Sequence, residues 1–395
     1  MNNTVFVTGV GMTPFVKPGT EAPYTEMGAH AVRMALEDAG LDYGLIQQAY
    51  AGYVYGDSTC GQAVLYGVGM TGIPVINVNN NCSTGSTALY LARQAVESGV
   101  VECTLALGFE QMVRGALVNV FNDRPAPLGK FVDMAEALQG HSESPMALRL
   151  FGGAGSEYQE RYDTRDETFA MIAVKARRHA QHNERAIFRQ QVTVDEVLAS
   201  PKMVGVLTRM QCCPPTCGAA AAVICSADFA RRHGLDMHVA IVGQAMATDF
   251  RSTFDERSMM KVVGVDLTAA AARQVYERAG IGPEDVDVVE LHDCFTSNEL
   301  ISYEALGLTL EGTAERFVWD GDNTYGGRVV TNPSGGLLAK GHPLGATGLA
   351  QCAELTWQLR GLAGPRQVEG ARIALQHNIG LGGACVVTMY ERRGE

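Results

Sequence analysis

The chain has 395 residues, of which 46% are hydrophobic and 19% charged, and its formal net charge is −12. It exceeds the roughly 250–300 residues at which a single core stops growing, so we expect more than one core. The composition excludes a disordered chain, and the acidic balance without a long Lys/Arg run argues against a nucleic-acid partner. No apolar run approaches the roughly 20 residues of a membrane span. The ten cysteines form no paired framework, which predicts reduced thiols and a cytoplasmic location.

The first predicted elements alternate between strands and helices, a pattern typical of α/β proteins. The N-terminal segment MNNTVFVTGVG (1–11) predicts a first strand. The Gly-x-Gly within VTGVGMTPF (7–15) does not predict a dinucleotide site, because Pro14 occupies the position of the third glycine.

A cysteine follows the next apolar stretch, IPVINV (73–78), at the turn into a predicted helix. In NNNCSTGSTALYLARQAVESG (79–99), Cys82 precedes a helical pattern that ends at Gly99. The N-terminus of a helix lowers the pKa of a nearby thiol, which makes Cys82 a candidate nucleophile. The alternative is a buried structural cysteine, the commoner role of this residue.

The middle of the chain, residues 119–216, has no counterpart elsewhere in the sequence and is predicted to be an insertion. Within it, KARRHAQHNERAIFR (175–189) either offers a basic patch to an anionic ligand or forms a solvated helix face. CCPPTC (212–217) lacks a neighbouring histidine and a second cysteine pair, so we do not expect zinc there.

A polar motif, LHDCFTSNEL (291–300), follows the predicted strand VDVVE. Side-chain alternation places His292 and Cys294 on one face, from which either could reach a pocket. A metal site of His292, Asp293 and Cys294 is disfavoured, because only two of the three side chains share that face.

Two further motifs lie near the C-terminus. AKGHPLGATG (339–348) places His342 ahead of a helix, as a base beside a nucleophile or as a polar cap. HNIGLGGACVV (377–387) ends a strand with three glycines, among them Gly380, so its backbone can approach a ligand closely. An N–H group from this turn and that of Cys82 could form an oxyanion hole, and the alternative is a tight turn without a ligand.

The sequence also contains pairs of segments that are similar to each other. They are 31–41 with 270–281, 46–54 with 286–295, 82–88 with 342–348, 103–112 with 372–380 and 218–227 with 383–391. We therefore predict two similar α/β halves, the first formed by 1–118 and 217–236 and the second by 237–395. In this alignment Cys82 falls on His342, so a pseudo-twofold axis is predicted to bring the two residues face to face.

Four motifs in this order resemble the thiolase family, and specifically its sterol-carrier-protein-2 type: NNNCSTGSTAL, HDCFTSNEL, GGLLAKGHPLGATG and HNIGLGGACVV. The resemblance implies the duplicated five-layered αβαβα thiolase fold, with the insertion as a loop domain that helps to bind coenzyme A. It also implies a homodimer or homotetramer. Coenzyme A is then a substrate, and neither a permanently bound cofactor nor a metal is expected.

The resemblance also implies roles for individual residues. Cys82 is similar to the nucleophile that becomes acylated, and His342 resembles the histidine that activates it. Cys294 corresponds to the acid/base. His292 takes the place of an asparagine that orients a water in the first oxyanion hole, which His342 shares. The backbone N–H groups of Cys82 and Gly380 resemble the second oxyanion hole.

The sequence departs from the wider family at a few points. Asn378 stands where many thiolases have a second cysteine, and Cys217 stands where aspartate is frequent. No sterol-carrier domain follows residue 395, so a fused lipid-transfer function is not expected. The pocket for the acyl group is expected in the insertion, around Met146, Leu148 and Phe151.

Together these features predict an acyl-CoA C-acyltransferase, a 3-ketoacyl-CoA thiolase of fatty-acid β-oxidation that works through a Cys82 acyl-enzyme. Two alternatives stay open. One is a retro-aldolase or acyl-CoA synthase on the same fold. The other is a non-catalytic subunit that binds acyl-CoA or lipid, or one that depends on an accessory protein for substrate delivery. The presence of Cys82, His342 and Cys294 together favours the thiolase.

Overall fold

The computed structural model describes residues 4–113 and 121–394. Strands and helices alternate through most of the chain, as the sequence predicts. In chain order the elements are β1 (Val5–Met12), α1 (Tyr24–Ala39), β2 (Gln48–Gly52), α2 (Cys60–Tyr66), β3 (Val75–Val78), α3 (Thr84–Glu97), β4 (Cys103–Glu110), α4 (Gly129–Gln139), α5 (Met146–Tyr162), α6 (Asp166–Ala180), α7 (Val194–Ala199), β5 (Gly218–Ser226), α8 (Ala227–His233), β6 (Val239–Ala247), α9 (Ser252–Asp255), α10 (Met259–Val262), α11 (Val265–Ala279), β7 (Val288–Glu290), α12 (Thr296–Ala305), α13 (Ala314–Trp319), β8 (Val330–Thr331), α14 (Gly336–Ala339), α15 (Thr347–Arg360), β9 (Ile373–Gly380) and β10 (Ala384–Arg392).

Within the described residues, ten strands form one sheet in the order β3-β2-β4-β5-β1-β6-β10-β9-β7-β8. The two ends of this order mirror each other, because each strand of the first half has a counterpart in the second, from β3 and β8 at the edges to β1 and β6 at the centre. The halves join where β1 pairs with β6, through Val5 with Ile241 and Phe6 with Ala240. This symmetry confirms the duplication predicted from the sequence.

Two helices, α3 and α15, lie between the half-sheets and form the central core. Twelve of the fourteen residues of α15 are buried, because strands of both halves and α3 surround it. Its buried polar groups find partners inside the protein: Gln351 donates to the carbonyl of His377 at 3.0 Å, and Glu354 pairs with Arg366 at 2.9 Å. Buried polar groups paired in this way do not oppose the packing of the helix.

Two outer cores complete the layers. On β4, Leu105 and Leu107 pack with the residues of α1, whereas Ala106 packs with those of the central helices, as the period of two along a strand requires. On the other side of the molecule, α11 and α12 cover the second half-sheet with side chains that include Leu267 and Leu300. The layers therefore run helix, sheet, helix, sheet, helix, which confirms the predicted αβαβα fold.

The segment between β4 and β5 contains the helices α4 to α7 and no strand among its described residues. Its predicted start, at the 118/119 boundary, lies outside the described residues. Lys175 of α6 is buried and bonds to Glu299 of α12, so this lysine belongs to the packing against the second half rather than to a free basic patch. Of the helices in residues 4–113 and 121–394, none combines the length and apolar character that a bilayer crossing requires.

Candidate active site

Cys82 lies in a tight turn between β3 and α3. Asn81, with φ at +51°, takes the left-handed conformation that asparagine tolerates. The Thr84 hydroxyl accepts the N–H of Asn80 at 2.8 Å and donates to the carbonyl of Asn81 at 2.6 Å. The hydroxyl of Ser83 donates to the carbonyl of Asn80 at 2.9 Å. These bonds tie the turn to the start of α3 and fix the position of the Cys82 thiol.

His342 lies in the corresponding turn of the second half, before α15. The Thr347 hydroxyl donates to the carbonyl of Pro343 at 2.9 Å, so its oxygen accepts the proton on Nδ1 of His342 at 2.7 Å. Nε2 of His342 is buried without a hydrogen-bond partner. Burial lowers the pKa of His342 to about 3, which leaves the ring neutral with its lone pair on Nε2.

The two turns meet through glycines. A Cβ atom on Gly85 would lie 2.6 Å from the carbonyl oxygen of Gly345, and one on Gly108 would lie 2.2 Å from the same oxygen. The backbones can approach this closely only because these positions carry no side chain. The two turns thus face one another, which is the arrangement that the duplication predicted for Cys82 and His342.

A second imidazole completes a compact cluster. Sγ of Cys82 and one ring nitrogen each of His292 and His342 all lie within 4.8 Å of one another. The two rings are nearly perpendicular, with centroids 5.1 Å apart. Burial, and then the proximity of His342, holds the pKa of His292 well below its usual range, so this ring is also neutral. Asn378 lies behind it, with its side-chain nitrogen 2.9 Å from Nδ1 of His292.

The pKa of Cys82 differs from the sequence-based expectation. The helix N-terminus was expected to lower it, but desolvation and the neighbouring carboxyl of Glu110 raise the pKa of Cys82 to about 12. The thiol is therefore protonated at rest, and it needs a base to become a nucleophile. His342 is the neutral base within reach.

Two more cysteines line the same cavity. Cys294 was predicted to do so, and Cys213 was not. The N–H of Cys213 donates to the carbonyl of Cys294 at 2.9 Å, which places the two residues opposite each other across a short antiparallel bridge. Asp293, between His292 and Cys294, takes no part in the cavity: its carboxyl accepts the N–H of Leu337 at 2.7 Å at the start of α14.

The cavity measures about 430 Å³, and its wall is largely apolar. Met146 and Phe151 of α5 line it, as predicted, and Phe151 stacks on Phe295 with ring centroids 5.1 Å apart. Leu148 differs from its prediction. It is buried in the core of the second half instead, because it lies on another face of α5. Gly380 lies directly against the turn that carries Cys82, where a Cβ atom would come within 2.1 Å of the Asn80 carbonyl oxygen.

Sequence reasoning missed three contributors to the site. Glu110, the last residue of β4, is fully buried and accepts backbone N–H groups from Tyr55 at 2.9 Å and Gly345 at 3.0 Å. In the sequence, a glutamate directly after the largely apolar run CTLALGF (103–109) is the signal that could have found it. Cys213 and the contact of Asn378 with His292 have no comparable signal, because both depend on segments distant in the sequence.

A model of the thiolase N-terminal domain matches residues 5–228, and a model of thiolase C-terminal domain-like regions matches residues 251–390. The chain therefore belongs to the thiolase family. The predicted class of enzyme, an acyltransferase, is thereby confirmed.

Among related proteins, the chain is 55% identical over 391 residues to "Sterol carrier protein 2" of Oryctolagus cuniculus, which covers 98% of this chain and 72% of that protein. It is 36% identical over 394 residues to "Acetyl-CoA acetyltransferase" of Methanothermobacter thermautotrophicus, which covers 98% of this chain and 99% of that protein. The predicted resemblance to the sterol-carrier-protein-2 type is confirmed.

Solved structures share the fold. The "Ltp2-ChsH2(DUF35) aldolase" has a TM-score of 0.84 at 22% identity and covers 100% of this chain and 99% of that chain. Human mitochondrial 3-ketoacyl-CoA thiolase in complex with CoA has a TM-score of 0.74 at 20% identity, covering 99% of this chain and 98% of that chain.

Proposed function

We propose that this protein is a 3-ketoacyl-CoA thiolase of the sterol-carrier-protein-2 type, which cleaves or forms 3-ketoacyl-CoA through an acyl-enzyme on Cys82. The observation that carries the proposal is the position of the Cys82 thiol. Its Sγ lies within 4.8 Å of a ring nitrogen of His342, a neutral imidazole whose Nε2 has no partner, and the thiol of Cys294 lines the same cavity.

In the first half-reaction, Nε2 of His342 takes the proton of Cys82 while Sγ attacks the 3-keto carbon. The N–H groups of Cys82 and Gly380 receive the oxyanion. The C2–C3 bond then breaks, and its electron pair forms the enolate of acetyl-CoA. His292 and His342 stabilise the enolate oxygen, and Cys294 donates the proton that completes acetyl-CoA.

In the second half-reaction, the thiolate of Cys294 takes the proton of the coenzyme A thiol. The coenzyme A sulfur attacks the acyl carbon on Cys82, and the Cys82 sulfur leaves and recovers its proton from His342. The shortened acyl-CoA is released. Because each step is reversible, the same groups serve condensation. The apolar wall around Met146 and Phe151 supports an acyl chain as the group that occupies the cavity.

We also propose that two copies of the chain associate through β3. This strand is one of the two edges of the sheet, and its four residues, among them Val75, Ile76 and Val78, are only half-buried in one chain. An edge strand with apolar side chains is suited to pairing with a second copy. A cytoplasmic location is part of the proposal, supported by ten cysteines that are all free.

The test is intact-protein mass spectrometry after incubation with acetoacetyl-CoA. We expect one acetyl adduct that disappears when coenzyme A is added. Cys82→Ala should form no adduct, and Cys294→Ala should form it slowly. The matched control is Cys212→Ala, which removes a thiol beside Cys213 that is not part of the cavity wall.

Two other outcomes would replace the proposal. Cleavage of a 3-hydroxyacyl-CoA without any adduct would favour the retro-aldolase, a reaction that the name of one structural neighbour suggests for that protein. Tight binding of acyl-CoA with neither adduct nor cleavage would favour a non-catalytic subunit.

A further inference from the structure

Asn378 occupies a buried position behind the second imidazole of the site. Its side-chain nitrogen lies 2.9 Å from Nδ1 of His292, and its side-chain oxygen lies 2.8 Å from Oγ of Ser86. Each of these three residues is at most 1% exposed. Their polar atoms are therefore out of reach of bulk water and must be satisfied by one another.

A backbone carbonyl fixes the direction of the whole chain of hydrogen bonds. Nε2 of Gln376 lies 2.7 Å from the carbonyl oxygen of Gly348, which can only accept, so this end of Gln376 is the amide nitrogen. The same nitrogen donates its second proton to Oγ of Ser86 at 2.8 Å. Ser86 then donates its own proton to Oδ1 of Asn378. The amide nitrogen of Asn378 consequently faces His292.

This direction decides where the proton of His292 lies. An amide nitrogen donates and does not accept, so Nδ1 of His292 must be the acceptor. In a neutral imidazole the proton is then on Nε2. His342 has the opposite arrangement, because its Nδ1 donates to Thr347. The two rings therefore present one lone pair and one N–H group at the cavity.

We propose that Asn378 is a positioning residue that holds His292 in the Nε2–H form, so that His292 donates a hydrogen bond to the oxygen on which negative charge develops. What that N–H group does in the reaction rests on the proposed function. Where the proton lies does not, because it follows from the hydrogen bonds alone.

The same proton decides whether the cluster can hold a metal ion. One cysteine and two histidines form a donor set that zinc accepts, and their ligand atoms here lie within 4.8 Å of one another. A ligating imidazole must offer a lone pair to the metal, and in the Nε2–H form the lone pair of His292 is on Nδ1, where it accepts from Asn378. Asn378 thus keeps Cys82, His292 and His342 available for catalysis instead of metal binding.

The first test measures the intact network of the wild-type protein. In wild-type protein labelled with ¹⁵N-histidine, ring-nitrogen spectra report which nitrogen is protonated, and the signals of His292 are assigned by their loss in His292→Gln. We expect the proton on Nε2 throughout pH 6–9, a range chosen because the ring remains neutral there. A proton on Nδ1 would overturn the proposal.

The second test reverses the donor. Asn378→Asp keeps the shape of the side chain but replaces the donating nitrogen by an oxygen, which accepts from Nδ1–H and frees the lone pair on Nε2. We expect this variant to show thiolate-to-cobalt absorption with Co²⁺, and the wild type to show none. The added change Cys82→Ser should remove the absorption. Asn323→Asp alters another buried amide outside the cavity wall and should show no thiolate-to-cobalt absorption.

Activity and spectra together separate this inference from the proposed function. Loss of one oxyanion donor predicts that turnover of 3-ketoacyl-CoA falls by about 10²–10³. If the wild-type spectra place the proton on Nε2 but no acyl-enzyme forms, the proposed function fails and the tautomer stands. Wild-type Co²⁺ absorption that depends on Cys82 and His292 would contradict the tautomer whatever the activity.

Discussion

Cys82 and His342 form a neutral pair at rest. Desolvation and Glu110 raise the pKa of Cys82 to about 12, and burial lowers the pKa of His342 to about 3. Between these values neither group carries a charge, so a thiolate exists only once the proton crosses to Nε2. The site therefore couples proton transfer to nucleophilic attack and does not hold a preformed ion pair.

The raised pKa of Cys82 predicts how its alkylation depends on pH. Iodoacetamide reacts with the thiolate, whose fraction grows about tenfold per pH unit below the pKa. In His342→Gln, which lacks the internal base, the rate of Cys82 modification should therefore climb by about 10²-fold from pH 7 to pH 9 without levelling off, whereas the rate for an ordinary thiol, with a pKa of about 8.5, begins to level off in this range. Peptide mapping measures the rate, with Cys82→Ser as the background. A plateau below pH 8 in this variant would contradict the raised pKa of Cys82.

Replacing the base tests the other member of the pair. His342→Gln removes the lone pair that accepts the proton of Cys82, so acylation by acetoacetyl-CoA should slow by about 10²–10⁴. Rapid-quench mass spectrometry measures the acylation rate. The control is His179→Gln, which removes a buried imidazole bonded to the carbonyl of Asn332 and away from the cavity wall. Equal losses in the two variants would point to a general effect on folding.

At the scale of residues, local sequence identifies a functional side chain more reliably than it predicts the environment of that side chain. Cys82 and His342 were found because each precedes a helix in a repeated motif. The pKa of Cys82 was not predicted, since it depends on desolvation by burial and on Glu110, which the fold brings near from the end of β4. Cys213 was missed for the same reason, because its partner Cys294 is far away in the sequence.

At the scale of elements, α3 and α15 position the two turns by close backbone contact. Gly85→Ala places a Cβ atom 2.6 Å from the backbone oxygen of Gly345, which cannot move without its helix. We expect a loss of about 1–3 kcal/mol in the free energy of unfolding, together with reduced turnover as the turns separate. Thermal unfolding and steady-state kinetics measure the two effects.

Gly129→Ala is the matched control for this substitution. Gly129 also lies in the first turn of a helix, α4, but a Cβ atom there would meet no atom within 4 Å. The alanine should leave stability unchanged or raise it slightly through helix propensity. If both variants lose stability equally, the contact between the turns is not the cause.

The sequence predicted elements where their pattern is local and repeated. The paired segments located α1 with α11, β2 with β7 and β4 with β9, because each pair kept its spacing of apolar residues. It did not predict that β1 and β6 join the half-sheets into one sheet, since that contact involves only two residue pairs. The sequence also did not predict which face of α5 lines the cavity. Leu148 was therefore expected in the cavity wall, although it lies in the core.

At the scale of the whole molecule, the half-buried edge strand β3 predicts association. Ile76→Asp places a charge on this half-buried edge strand, so we expect the dimer to dissociate at micromolar concentration. Sedimentation velocity measures the change in mass. The control, Leu362→Asp, charges a residue that is 64% exposed elsewhere and should leave the mass unchanged. A wild-type monomer would contradict the proposed interface.

The mirrored strand order has a consequence for how such a site could arise. Nucleophile and base occupy equivalent places, so two identical separate chains would have carried the same side chain at both. Once both copies are encoded in one polypeptide, each place can mutate by itself, and a thiol can face an imidazole. Joining the two copies in one chain thus allows different side chains on the two sides of the axis, and it gives each chain one reaction centre where they meet.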